Sequence, residues 1–208
     1  MGECLMEQRS PEWFASRLGK VTASMVTTVA SKTIARKKYL NQLITERLTG
    51  NVVPVYVNQA MQHGMDYEDE ARNLYINKVG LLKDVDVTEE GFVDHPTIDM
   101  AGASPDGLVG DTGLIEIKCP QLLTHTETLA THDINIKYQH QIQWQLACMP
   151  ERQWCDFVSY HPDFPDEHKL LVLRVDRDDE LIARLETEVE KFLTEVSEAV
   201  NFINNKEK

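Results

Sequence analysis

The chain has 208 residues, a length that fits a single domain over residues 1–208 and suffices to bury a substantial core. Hydrophobic residues make up 42% and charged residues 26% of the chain, a composition that excludes intrinsically disordered and collagen-like proteins. Its 21 basic and 34 acidic side chains give a net charge of −13, which on bulk charge alone argues against binding to nucleic acid or to anionic membranes.

The N-terminal part of the chain is predicted to be helical. Ser10-Pro11 is typical of a helix start, because serine caps a helix and proline fits its first turn. Thr22 or Ser24 is a candidate cap for a second helix. A third helix is predicted over residues 37–48, where the apolar residues Leu40, Leu43, Ile44 and Leu48 fall on one stripe.

The next helix is predicted from about Asp66 to Val79, ending at Gly80, with Ala71, Leu74 and Tyr75 directed inward. Short β-rich segments follow over residues 85–93, 100–109 and 114–119. A helix over 138–149 and strands over 154–160 and 170–175 come next. From Asp179, a long amphipathic helix carries the stripe Leu181, Leu185, Val189, Phe192, Val196, Val200 and Ile203. Helices that flank a strand-rich centre predict an α/β domain with a mixed sheet.

Charge is distributed unevenly along the chain. Residues 1–60 carry eight basic and four acidic side chains, whereas residues 61–124 carry four and thirteen, and residues 125–208 carry nine and seventeen. The basic excess therefore lies in the N-terminal part, with Arg17 and Lys20 followed by Lys32, Arg36, Lys37 and Lys38. A solvated helix face is the simpler interpretation of such a run.

The sequence shows neither a secretory signal nor an apolar run that approaches the roughly 20 residues needed to span a bilayer. We therefore expect a cytoplasmic protein without a membrane partner. In a reducing compartment the four cysteines are expected to be free thiols: Cys4, Cys119, Cys148 and Cys155. Cys148 and Cys155 are predicted to be buried.

The most informative stretch combines residues 104–107 (SPDG) with residues 115–120 (IEIKCP). In an extended strand alternate side chains share a face, so Glu116 and Lys118 project together while the two isoleucines point into the core. Three glycines between Asp106 and Glu116 permit a hairpin-like return that brings Asp106 beside both residues. A surface hairpin with an exposed Glu–Lys pair is the alternative, because the motif is short and degenerate.

Two carboxylates and an ammonium that converge at strand ends are costly to bring together unless a divalent cation lies among them. Mg²⁺ suits such a site, because it prefers carboxylate oxygens and keeps several waters, one of which can attack a phosphodiester. Lys118 would orient or deprotonate that water, or neutralise the charge that develops on the phosphate. The motif is therefore compatible with metal-dependent phosphodiester hydrolysis.

Five sequence blocks occur in a fixed order between residues 17 and 143. They are residues 17–24 (RLGKVTAS), 64–68 (GMDYE) leading to Ala71-Arg72, 104–107 (SPDG), 116–120 (EIKCP) and 138–143 (YQHQIQ). Together they resemble the phage lambda exonuclease family, the YqaJ-type viral recombinase nucleases of the PD-(D/E)xK superfamily. The resemblance implies a restriction-endonuclease-like fold, with a mixed central sheet flanked by helices, a helical N-terminal part and a long C-terminal helix.

The resemblance also implies the residues of the metal site. Asp106 and Glu116 match the metal-binding carboxylates of the family, and the main-chain carbonyl of Ile117 matches a further ligand. Lys118 matches the catalytic lysine. Glu68 matches an acidic residue on the preceding helix that completes the metal site, and the alternative is a solvated member of an acidic cluster.

A 5′-phosphate pocket is implied in the same way. Arg17, Ser24, Ser104 and Gln141 fall where the family binds the 5′-phosphate of the strand being digested. Guanidinium, hydroxyl and amide groups are good donors to phosphate oxygens. Gln143 is an in-register neighbour that competes with Gln141 for this role. A helix cap at Ser24 and a surface ion pair at Arg17 are the alternatives.

Members of the family form a ring-shaped homotrimer around DNA, and such threading of the substrate explains processive digestion. Met61 aligns approximately with an apolar wedge that splits the terminal base pairs, and insertion of an apolar side chain into a base stack is physically sensible. A methionine in the core is the alternative interpretation.

The resemblance thus implies a Mg²⁺-dependent 5′-to-3′ exonuclease of phage or prophage origin, in which Mn²⁺ substitutes for Mg²⁺. It would digest one strand of linear double-stranded DNA processively to mononucleotides, leaving a 3′ overhang for a single-strand-annealing protein. One alternative is a related PD-(D/E)xK endonuclease or an iron–sulfur nuclease, although the C-terminal cysteines are too few for a cluster. The other is a non-catalytic DNA-binding subunit, against which the intact motif argues.

Overall fold

The computed structural model describes residues 8–54, 56–80 and 85–206, and within these ranges it contains seven α-helices and eight strands. The helices are α1 Pro11–Arg17, α2 Val26–Val29, α3 Ile34–Thr49, α4 Gln59–Tyr75, α5 Leu122–Thr131, α6 Ile136–Cys148 and α7 Asp179–Asn205. The strands are β1 Val21–Thr22, β2 Val87–Thr88, β3 Val93–Asp94, β4 Ala101–Ala103, β5 Gly107–Val109, β6 Gly113–Lys118, β7 Trp154–Tyr160 and β8 Leu170–Asp176. A 3-10 helix spans Ala23–Met25, and a π-helical turn, Ile76–Gly80, follows α4.

The strands form two mixed sheets. The central sheet has the order β2-β5-β6-β7-β8, in which β6 and β7 are parallel and the other neighbours are antiparallel. A smaller sheet has the order β1-β4-β3, and its parallel β1–β4 pair joins Val21 to Ala101 and Thr22 to Gly102. The predicted mixed sheet is confirmed. The smaller sheet, which the sequence did not predict, brings the block at residues 17–24 close to the block at residues 104–107.

Helices cover both faces of the central sheet. On one face Ile115 and Ile117 belong to an apolar cluster with Ala71 and Tyr75 of α4. On the other face an apolar cluster joins strand residues Leu114 and Phe157 to α6 residues Ile142 and Leu146. Glu116 shares the α6 face with Leu114, because residues two apart in a strand point the same way. The Glu116 carboxylate is therefore fully buried between the central sheet and α6.

The predicted helix signals are largely confirmed. Ser10 caps α1, because its Oγ accepts a hydrogen bond from the Trp13 main-chain N at 3.1 Å. The stripe on α7 packs against α2 and α3 in a third apolar cluster, although Ile203 at its end is exposed. Leu48, at the end of the α3 stripe, is also exposed. None of the helices in the described ranges combines the length and the apolar character that crossing a lipid bilayer requires.

The helices differ from the sequence-based prediction in three respects. Helix α4 begins at Gln59 rather than near Asp66, because the Asn58 side chain caps it; its first turns bury no apolar stripe and so gave no periodic signal. Thr22 precedes the 3-10 helix without a side-chain capping bond, and Ser24 lies inside that helix, so neither is the predicted cap. Helix α5 was not predicted, since His125 is its one buried residue.

The cysteines follow the prediction where the structure describes them. Cys148 and Cys155 are buried, as expected, and Cys119 is buried as well. Burial raises the pKa of the Cys119 thiol to about 12, which makes the thiolate scarce at neutral pH. Cys4 lies outside the described residues.

The basic N-terminal run is partly neutralised in the fold. Arg36 makes a two-pronged ion pair with Glu195 of α7, at 2.9 and 2.6 Å, and Lys20 pairs with Asp94. The lysines at 32, 37 and 38 are exposed on or beside α3. These residues therefore fit the solvated-face interpretation of the run, whereas Arg17 has a different environment.

Candidate active site

The β5–β6 hairpin assembles the charged residues of the central motif. Its register pairs Gly107 with Ile115, and the Ile117 main-chain N donates a hydrogen bond to Asp106 Oδ2 at 2.6 Å. On the same strand the Lys118 ammonium is paired with Glu116 Oε1. Because the Glu116 side chain is 0% exposed, the alternative of a surface Glu–Lys pair does not describe this hairpin.

The electrostatics of this cluster show that its negative charge is incompletely balanced. Burial, and then the charge of Glu116, raise the pKa of Asp106 well above its usual range. Burial lowers the pKa of Lys118, but the charges of Glu116 and Asp106 outweigh it and leave this pKa above its usual value. Lys118 is therefore an ammonium at neutral pH, and a further cation near Asp106 would relieve the repulsion between the carboxylates.

Helix α6 supplies two amide donors to Glu116. Gln141 Nε2 donates to Oε1 and Gln145 Nε2 donates to Oε2, each at 2.6 Å. Gln143 is directed elsewhere: it donates to the Asp176 carbonyl at 2.8 Å and accepts from the Asp178 main-chain N at 2.9 Å. The sequence left Gln141 and Gln143 as alternatives for the phosphate pocket. In the structure Gln141 contacts the motif, whereas Gln143 joins α6 to the start of α7.

Glu68 lies on α4 and is held by two arginines. Its carboxylate is paired with Arg72, at 3.1 Å, and with Arg9. Arg72 Nε also donates to the Asp106 carbonyl at 3.2 Å, and the charge of Glu68 contributes to the raised pKa of Asp106. The Glu68 side chain is 17% exposed, so the interpretation as a freely solvated acidic residue does not fit.

Arg17 is a largely enclosed cation next to the motif. Its guanidinium carbon lies 3.8 Å from the centre of the Trp13 ring, and Nη1 lies 3.4 Å from Ser104 Oγ. Ser104 Oγ also accepts a hydrogen bond from Trp13 Nε1 at 2.9 Å. Burial lowers the pKa of Arg17 to about 10, which still leaves it charged at neutral pH. In the described ranges Arg17 forms no ion pair with a carboxylate, so the surface ion pair considered from sequence is not what the fold contains.

The remaining two predicted site residues are exposed. Ser24 lies in the 3-10 helix, outside the hydrogen-bonded group of Trp13, Arg17 and Ser104. Met61, in the first turn of α4, is 44% exposed and follows the exposed apolar residues Tyr56 and Val57. A core position for Met61 is therefore wrong, and the structure leaves its side chain available for contact with another molecule.

Sequence reasoning missed three residues that the structure places at the site. Gln145 follows Gln141 by one helical turn, a spacing that places both on one helix face and that was visible in the sequence. Trp13 precedes Arg17 by one turn of α1 in the same way. Arg9 carried no signal, because its contact with Glu68 joins residues 59 positions apart.

The oxygen donors of the motif fit a hard divalent cation. As the described side chains stand, no three His, Cys, Asp or Glu residues converge on one point, and Glu68 is paired with two arginines. Asp106 and Glu116 are nevertheless adjacent carboxylates whose repulsion a cation would relieve. Mg²⁺ is bound in proteins by as few as one or two carboxylates together with waters, so this donor set suits it.

Comparison with known proteins identifies the family. A family model described as a YqaJ-like viral recombinase domain matches residues 12–150, more than half of the chain. The crystal structure of an alkaline exonuclease (LHK-Exo) from Laribacter hongkongensis is 50% identical, with a TM-score of 0.88 over 95% of this chain and 97% of that chain. A crystal structure of LHK-Exo in complex with dAMP matches with the same values.

A more distant structure shares the fold alone. The crystal structure of a phage related exonuclease from Haemophilus somnus 129PT is 15% identical, with a TM-score of 0.69 over 88% of this chain and 96% of that chain. No match was found among curated proteins. The restriction-endonuclease-like α/β fold expected from sequence is confirmed. The chain belongs to the YqaJ-like viral recombinase family, and its similarity to the alkaline exonuclease supports a DNA exonuclease.

Proposed function

We propose that the protein is a Mg²⁺-dependent 5′-to-3′ exonuclease that digests one strand of linear double-stranded DNA to mononucleotides and leaves a 3′ single-stranded overhang. One observation carries the proposal: the Arg17 guanidinium, largely buried and without an ion pair among the described residues, adjoins a cluster of carboxylates. Arg17 and Ser104 form the cationic side, and Asp106 and Glu116 form the acidic side. Residues 104–106 connect the two sides directly.

The adjacency of these two sites supports both the 5′-to-3′ direction of digestion and the removal of one nucleotide in each cut. A terminal 5′-phosphate is the anion that best suits Arg17 and Ser104, because charge-assisted hydrogen bonds favour phosphate oxygens. Anchoring that phosphate would leave the next phosphodiester over the carboxylates, so that cleavage releases one nucleotide. The dAMP bound by LHK-Exo, a mononucleotide, supports such a product for a chain that is 50% identical to it.

The metal site in this proposal consists of Asp106, Glu116 and the main-chain carbonyl of Ile117, completed by Glu68 once it leaves its arginine partners. Mg²⁺, or Mn²⁺ in its place, would supply Lewis acidity and an activated water when bound. The raised pKa of Lys118 keeps it protonated, which favours its role as a neutraliser of charge on the phosphate over its role as a base. Ser24 and Gln141 would complete the phosphate pocket.

A homotrimeric ring around DNA is the assembly we propose, since threading of the substrate would allow many successive cuts without release. The exposed Met61 would serve as the wedge that opens the terminal base pairs. A single-strand-annealing protein is the proposed partner on the 3′ overhang, in the cytoplasm of a bacterium that carries the phage or prophage. The organisation of residues 1–208 as one domain likewise stays a prediction.

End-labelled linear duplex DNA provides the direct test. Digestion is expected with Mg²⁺ and not with EDTA, faster from a 5′-phosphate than from a 5′-hydroxyl, and with labelled mononucleotides released from the 5′ end. Circular duplex should stay intact. Cleavage of the circle would instead indicate an endonuclease, and binding without any release of label would indicate a non-catalytic DNA-binding subunit.

A further inference from the structure

Glu116 is a fully buried carboxylate whose two oxygens have different hydrogen-bond partners. Buried carboxylates need donors, because they lose the water that would otherwise solvate them. Oε1 accepts from Lys118 and from Gln141, and Oε2 accepts from Gln145. The Lys118 side chain is 25% exposed and Gln141 is half-buried, whereas Gln145 is 0% exposed. The donors at Oε1 are thus partly accessible to solvent, and the donor at Oε2 is enclosed.

Gln145 is unusual because half of its amide has no partner. Its Nε2 donates to Glu116, and the same nitrogen lies 3.5 Å from the Ser104 carbonyl. Its Oε1 is buried and makes no hydrogen bond within the described part of the chain. An unpaired buried oxygen costs folding free energy. The hydrogen bond to Glu116 is therefore the contact that accounts for an amide at this position.

We propose that Gln145 is a positioning residue that holds Glu116 in its metal-binding orientation, while Gln141 is the exchangeable donor that turns to the substrate phosphate. This inference rests on the proposed function. When a DNA phosphate attracts Lys118 and Gln141 and a cation replaces them at Oε1, the enclosed bond from Gln145 would persist and keep Oε1 directed to the side of Lys118. Because Gln145 also lies beside the Ser104 carbonyl, it fixes the carboxylate relative to the phosphate pocket.

The two glutamines are therefore expected to have separable effects. Gln145→Met removes the donor to Oε2 with little change of shape, so we expect Mn²⁺ to bind about 10- to 100-fold more weakly, the usual effect of losing a partner of a metal ligand. The ratio of kcat/KM on 5′-phosphate and 5′-hydroxyl ends should stay unchanged. Gln141→Met should lower that ratio and change the Mn²⁺ Kd by less than about threefold, since Lys118 still donates to Oε1.

The experiment is calorimetric titration of Mn²⁺ into the full chain without DNA, accompanied by exonuclease assays on the two kinds of end. Gln143→Met is the matched control, because Gln143 is buried on the same helix but bonds to residues 176 and 178. It should lower the melting temperature without changing the Mn²⁺ Kd. If Gln145→Met does not fold, Gln145→Asn replaces it, since the shorter amide does not reach Glu116.

Each outcome has a distinct meaning. A weaker Mn²⁺ Kd in the Gln145 variant, with an unchanged end preference, supports the inference. A wild-type Kd in that variant, or an equal weakening in the Gln143 control, overturns it and leaves the proposed function standing. If the wild-type chain itself binds no Mn²⁺ at millimolar concentration, both the inference and the metal dependence of the proposed function are refuted.

Discussion

The preference for a 5′-phosphate is predicted to depend on the guanidinium of Arg17. This group lies 3.8 Å from the Trp13 ring centre and 3.4 Å from Ser104 Oγ, with no carboxylate beside it in the described ranges. Arg17→Met keeps an apolar contact with the ring and removes the charge. Hydrogen bonds to charged groups contribute about 1.5–3 kcal/mol. At about 1.4 kcal/mol per tenfold change in rate, the preference should fall by about 10- to 150-fold.

The assay compares kcat/KM on duplexes that differ only in a 5′-phosphate or a 5′-hydroxyl. Arg17→Lys should keep part of the preference, because it retains the charge and loses the planar fork that stacks on Trp13. Arg36→Met is the matched control, since Arg36 already has Glu195 as its partner. An unchanged preference in Arg17→Met, or an equal loss in the Arg36 variant, would refute the assignment of Arg17 to the phosphate pocket.

Stability measurements separate this functional effect from misfolding. Burial lowers the pKa of Arg17 to about 10, so burying this group in its charged form costs folding free energy at neutral pH. Arg17→Met is therefore expected to melt at the wild-type temperature or above it. A lower melting temperature together with a lost preference would show that Arg17 acts mainly on the fold.

The remaining predictions concern the carboxylate cluster and the assembly. Lys118→Met should slow digestion of linear duplex by at least about 100-fold, because one preorganised charge usually contributes that much to the rate. The circular dichroism spectrum should stay that of the wild type. Near-normal turnover would show that Lys118 has no part in the mechanism. The raised pKa of Asp106 makes the folded protein less stable as pH rises from the ordinary carboxyl pKa to the raised one. At pH values above the raised pKa, and in EDTA, Asp106→Asn should therefore have a higher melting temperature than the wild type. A gain of about 1 kcal/mol corresponds to about 2–4 °C in a chain of this size. The gain should vanish in acid, where Asp106 is protonated, and a gain that grows toward acid instead of toward alkaline pH would contradict the argument. Analytical ultracentrifugation should report three subunits at working concentration, and a monomer would count against the ring.

The geometry of the motif was predictable because it is local. Alternation along β6 places Glu116 and Lys118 on one face, and the hairpin return needs only the glycine-rich connection to β5. Both features involve residues fewer than twelve positions apart, so sequence spacing determines them. The amphipathic stripe of α7 was predictable for the same reason, as was the cap at Ser10.

The proximity of Arg17 to Ser104, the proposed phosphate side of the site, was predictable only through the family resemblance, because it depends on distant contacts. Arg17 meets Ser104 across 87 positions, since the small sheet pairs β1 with β4. The role of Gln143 was undecided from sequence, because register alone does not reveal that it bonds to the start of α7. The pairing of Glu68 with Arg9 has no local signal at all.

The fold explains how a chain with a net charge of −13 is compatible with a DNA substrate. Bulk charge sets the average potential, but binding depends on the cations that lack a carboxylate partner at the place where phosphate arrives. Two of the N-terminal cations, Lys20 and Arg36, are neutralised by ion pairs, whereas Arg17 is held charged on the ring of Trp13. Part of the acidic excess lies in the cluster of Asp106 and Glu116, where a divalent cation would reverse its effect. The acidic surface elsewhere would repel DNA, so we expect DNA to bind weakly outside the site. Replacing exposed acidic residues of α7 by lysine should therefore increase nonspecific DNA binding in a gel-shift assay. Unchanged binding would show that the acidic surplus does not limit DNA binding and serves only solubility.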